Sequence, residues 1–62
     1  MNLGQAMKAG RWEKKMTQED LAERIGKSRA CIILIERSSK TQWSTAKKIA
    51  TQLEISLDSL SL

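Results

Sequence analysis

Apolar residues in this chain recur three and four positions apart rather than alternating, the spacing of helices that bury one face. Leu3, Ala6, Met7 and Gly10 form one such stripe and predict a first helix over about residues 2–14, capped by Asn2. Thr17-Gln18-Glu19-Asp20 puts an acid at the third helical position after a threonine, which is a capping box, and Met16 before it is set to staple onto Leu21. This second helix turns Leu21, Ala22 and Ile25 inward and stops at Gly26, a residue suited to the left-handed conformation. Ser28 caps a third helix that runs to about Arg37. A polar loop, Ser38-Ser39-Lys40-Thr41, leads to a fourth helix capped by Thr41 or Gln42 and ending near Leu53. Trp43, Ala46, Ile49, Ala50 and Leu53 share its stripe, which predicts a core position for Trp43. Ser56 opens a short last helix with Leu57 and Leu60 facing in. The expected fold is all-α: a compact bundle of five short helices in one domain, residues 1–62.

Composition narrows the function classes. The chain carries 11 Lys and Arg against 7 Asp and Glu, a net charge of +4, which suits a polyanionic partner without establishing one. With one cysteine and no histidine, an intramolecular disulfide, a His–Cys zinc site and a histidine base are all excluded. No metal, cofactor or enzymatic activity is expected. No apolar run approaches the roughly 20 residues that span a bilayer. The lone Cys31 fits a reducing compartment, so a cytoplasmic protein is expected.

The informative stretch runs from Gln18 to Arg37. Two helices crossing at a steep angle need a small residue where their backbones approach, and Ala22 supplies it. The turn between them needs positive φ, and Gly26 allows it. Ile32 and Ile35 give the second helix its inner side, shared with Ser28 and Glu36. Ala30, Ile33, Leu34 and Arg37 project the other way, with Arg29 and Cys31 on the flanks. These features in register describe a helix-turn-helix, helices 2 and 3 of the bundle.

In these residues the chain resembles the Cro/repressor (Xre-type) helix-turn-helix family of phage and bacterial regulators. The resemblance extends to Lys48-Ile49-Ala50-Thr51-Gln52-Leu53-Glu54-Ile55-Ser56-Leu57-Asp58-Ser59-Leu60, similar to the family's last two helices, and covers roughly residues 3–60. Two departures stand out. Ser38 occupies a position where the family often has glycine, and the third helix is unusually apolar over Cys31-Ile32-Ile33-Leu34-Ile35.

The resemblance implies a sequence-specific regulator of transcription, a repressor or autoregulator, that reads double-stranded DNA with the helix at 28–37. It implies base contacts from Ser28, Arg29, Ala30, Ile33 and Leu34, and a phosphate contact from Gln18. It also implies a buried pair between Arg11 and Glu36. Independently of the family, a carboxylate so close to the core face as Glu36 needs a partner. Lys27, Arg37 and Lys40 flank the third helix and are candidates for phosphate contact. One such helix covers few base pairs, so a homodimer on a palindromic operator is expected. The apolar C-terminal residues Ile55, Leu57, Leu60 and Leu62 are the candidate dimer contact. The alternative is a protein-interaction module, antitoxin-like, that uses Trp12, Ile33 and Leu34 as an apolar docking face.

Overall fold

The structure, a computed structural model, describes residues 2–59. Asn2 Oδ1 accepts the Gln5 N–H at 2.9 Å and Gln5 Oε1 accepts the Asn2 N–H at 3.2 Å, a capping box that starts α1, Leu3–Glu13. Thr17 and Asp20 make the same reciprocal pair, both bonds 3.0 Å, and open α2, Gln18–Ile25. Ser28 Oγ accepts the Cys31 N–H at 3.2 Å to cap α3, Arg29–Ser38. Gln42 precedes α4, Trp43–Leu53, without a side-chain cap bond.

Three helix ends share one device. Lys15, Gly26 and Glu54 take positive φ, of 56°, 72° and 55°. The next N–H in each case reaches back five residues: Met16 to Arg11 O, Lys27 to Ala22 O, and Ile55 to Ala50 O. Only at Gly26 does the residue type remove the steric cost of that conformation. Lys14 and Glu54 then form an exposed ion pair that ties the end of α1 to the end of α4.

The core is built from the inner stripes of all four helices. Leu3 and Met7 of α1, Leu21 of α2, Ile32 of α3 and Ile49 of α4 are fully buried and belong, with Met16, Ala22, Ile25, Ile35, Ala46 and Leu53, to one cluster. Helix α3 packs on α1 and α2, and α4 packs on the same two helices.

Three expectations are corrected. The described residues hold four α-helices, not five: a 3₁₀ turn, Leu57–Ser59, stands where the last helix was expected. Glu54 has already turned the chain out of α4, and a three-residue segment closes i→i+3 bonds without the cost of nucleating an α-helix. Leu57 still leans on the core from this turn, whereas Leu60 lies outside the described residues.

Trp43 is not core; it is 58% exposed. It opens α4, and its stripe is covered only from Ala46 onward, while Thr45 fills the inner position of the first turn. Ser28, expected on the inner face, is exposed, because as the cap it precedes the helix whose phase was assigned to it.

Candidate nucleic-acid interface

The turn between α2 and α3 is three residues, Gly26-Lys27-Ser28, and each position has a task. Gly26 takes the left-handed conformation, Lys27 returns its N–H to Ala22 O at 2.9 Å, and Ser28 caps α3. Ala22 is buried in the core on the inner face of α2. Because Ile32 and Ile35 hold the inner side of α3, its other side must face solvent. Arg29, Ala30, Leu34 and Arg37 are exposed there, and Ile33 is half-buried. Lys27 precedes the helix and Lys40 follows it, both exposed.

Charge on this side is of one sign. Residues 27–40 include four cations, Lys27, Arg29, Arg37 and Lys40, and one carboxylate, Glu36. That carboxylate is withdrawn from the surface, its side chain only 1% exposed. Arg11 of α1 grips it with both arms of its fork. Nε donates to Glu36 Oε2 at 2.6 Å and Nη2 donates to Oε1 at 3.2 Å. Arg11 Nη1 donates to Met16 O at 3.0 Å, so one guanidinium joins α1, the turn before α2, and α3. Burying these charges is tolerable because their hydrogen-bonding groups find partners.

Gln18 joins the same network, which the sequence did not disclose. Its Nε2 donates to Glu36 Oε1 at 3.0 Å, so its amide is oriented by the buried carboxylate. The half-buried Gln18 lies beside a depression also lined by Lys8, Trp12, Glu19 and Arg29, with Trp12 72% exposed.

Two further positioning residues escaped sequence reading. Gly4 N–H donates to Ser39 Oγ at 2.9 Å, linking the first turn of α1 to the end of α3. Ser39 itself takes φ 59°, a left-handed conformation that ends α3. Ser38 instead remains helical, its Oγ donating to Leu34 O at 2.8 Å. A glycine in the first turn of a helix was the available signal for the close approach of α1, but its partner 35 residues away was not readable.

Of the dimer candidates, Ile55 and Leu57 lie together, half-buried against the core; Leu60 and Leu62 fall outside the described residues. Among the described residues there is no cluster of ligands that could hold a metal ion and no helix long and apolar enough to cross a membrane.

Two helices joined by a tight glycine turn, the second with one buried and one cationic side, define a helix-turn-helix domain. The helix-turn-helix family model of Xre/Cro type matches residues 7–60, and the chain belongs to that family of DNA-binding domains. Comparison with curated proteins and with solved structures gave no match.

Proposed function

We propose that the protein is a sequence-specific transcriptional regulator, a repressor or autoregulator, that binds a palindromic operator in duplex DNA as a homodimer. The observation that carries this reading is the outer side of α3 and its flanks: four exposed cations within residues 27–40, with the single carboxylate of that segment, Glu36, buried under Arg11. Such a segment attracts phosphates.

Within that reading the contacts divide by type. Ser28, Arg29, Ala30 and Ile33 enter the major groove at the N-terminal half of α3, with Leu34 behind them. Arg29 suits guanine O6 and N7, and the methyls of Ala30 and Ile33 suit thymine. Gln18, Lys27, Arg37 and Lys40 hold the backbone on either side and set the register. The protein acts by binding, in the cytoplasm with the DNA, and needs no cofactor or catalytic group.

One observation favours a second reading. Leu34 is 63% exposed beside the half-buried Ile33, an apolar pair that a protein partner such as a toxin would also cover. Selection of bound sites from a random duplex pool separates the two. A two-fold repeated half-site supports the regulator; a pool that returns no enriched sequence supports the interaction module.

A further inference from the structure

Among the described residues Trp12 is the most exposed large apolar side chain. It directly follows Arg11, and Arg11 is fixed on Glu36 of α3, so the backbone that carries the indole is held in place against that helix. Lys8 lies one turn before Trp12 on the same side of α1. Both border the depression that Gln18 borders from α2 and Arg29 from α3. Its rim is rich in unused donors. The Lys8 ammonium, the Arg29 guanidinium and the Trp12 indole N–H have no hydrogen-bond or ion-pair partner among the described residues. One exposed carboxylate, Glu19, shares the rim, while Glu36 is already neutralised by Arg11.

We propose that this depression seats one phosphate and its sugar from the DNA backbone, with Trp12 and Lys8 of α1 as contacts beyond the two crossing helices. The inference rests on the regulator proposed above: a duplex that touches both Gln18 and Arg29 covers the depression they share, and the indole with it. The indole N–H donates and accepts nothing, so a phosphate oxygen satisfies it, and the ring offers the sugar an apolar surface. Lys8 supplies a charge for the same phosphate. The two contacts differ in kind. Lys8 displaces a counterion, so its share of the affinity falls with salt, whereas Trp12 is uncharged and its share does not. A protein partner would meet the same indole, but a rim of unpaired donors suits an anion better than an apolar side chain.

The test is binding to a selected operator and to a random duplex of equal length over a range of salt. Because the ring is exposed, Trp12→Ala should keep the helical circular dichroism and melting temperature of the parent. It should weaken both duplexes alike, by about tenfold, and leave the salt slope unchanged. Lys8→Ala should weaken both and reduce the slope by about 1. In a Trp43→Phe protein Trp12 is the only indole, and its emission should change on saturation with either duplex. A Trp12→Ala variant that binds both duplexes as the parent does, or an emission that DNA leaves unchanged, overturns the proposal. A loss confined to the operator gives the ring to a base rather than to the backbone, and overturns it too. If Trp12→Ala melts well below the parent, the emission of Trp12 decides alone. In each of these cases a parent that still prefers its operator leaves the regulator reading standing; a parent that binds neither duplex ends both.

Discussion

Gly4 lies so close to Glu36 that a Cβ added to it would sit 2.3 Å from the Glu36 carbonyl oxygen. The approach lets the first turn of α1 seat against the helix that carries the proposed base contacts. Helix propensity favours alanine over glycine by up to about 1 kcal/mol, but overpacking against a backbone atom costs about 1–3 kcal/mol. The clash wins, and Gly4→Ala is expected to lower stability in a denaturant titration. At Gly10 the added Cβ would meet Leu53 Cβ at 3.1 Å, a contact relieved by a shift of a few tenths of an ångström. Gly10→Ala should therefore be the milder change, and equal effects at the two sites would contradict this account of Gly4.

Breaking the buried pair from one side should be far worse than removing it whole. Glu36→Ala leaves a buried guanidinium without its partner, at a cost of about 3–5 kcal/mol. Arg11→Met with Glu36→Leu removes both charges and should cost much less than the sum of the single changes. Thermal melts of the two single variants and the double variant measure the coupling. Additive losses would mean that the pair holds nothing together.

The capping box of α2 should make stability depend on pH. The Thr17 backbone N–H and then its hydroxyl hold the Asp20 carboxyl below the ordinary carboxylate range. Lys14 does the same for Glu54. A carboxyl with a lowered folded pKa contributes stability above its unfolded pKa of about 4 and loses it as the pH falls through the folded value. Asp20→Asn should therefore melt below the parent at pH 6, with the gap closing toward pH 3. A gap that stays constant over that range would remove the ionised carboxylate from the explanation.

Ile33 tests apolar readout. It is half-buried on α3, while Ile32 and Ile35 already fill the inner side. Ile33→Ser should shift the melting temperature by a few degrees at most and weaken binding to a thymine-containing half-site. The loss should shrink when the facing thymine is replaced by uracil, which lacks the methyl group. An unfolded variant would make Ile33 a core residue instead.

The parts of this fold that were legible in the sequence are those whose cause is local. Thr17 with Asp20, Gly26 and Ser28 declare the ends of α2 and α3 within four residues of themselves, and the spacing of Ile32 and Ile35 sets the phase of α3. What escaped depends on partners distant along the chain. Gly4 needs Ser39 and Glu36 to explain it, and Gln18 shows its link to Glu36 only once α2 and α3 have crossed. Trp43 shares the periodicity of a buried stripe, but periodicity does not say where the covering helices stop. The last helix failed for a related reason: Leu57 has the right apolar character, and a three-residue 3₁₀ turn satisfies it.

If the outer side of α3 reads duplex DNA, binding must weaken with salt and discriminate between sequences. Affinity should be measured for a selected operator and for a random duplex of equal length, with the parent protein and with Arg29→Ala and Arg37→Ala. Log affinity should fall linearly with log salt on both duplexes, with a slope of roughly −0.9 per phosphate neutralised. Arg29→Ala should cost about 1–3 kcal/mol on the operator and little on the random duplex, whereas Arg37→Ala should weaken both alike and reduce the slope by about 1. Equal affinity for the two duplexes with the parent protein, or binding that does not respond to salt, would contradict readout by α3.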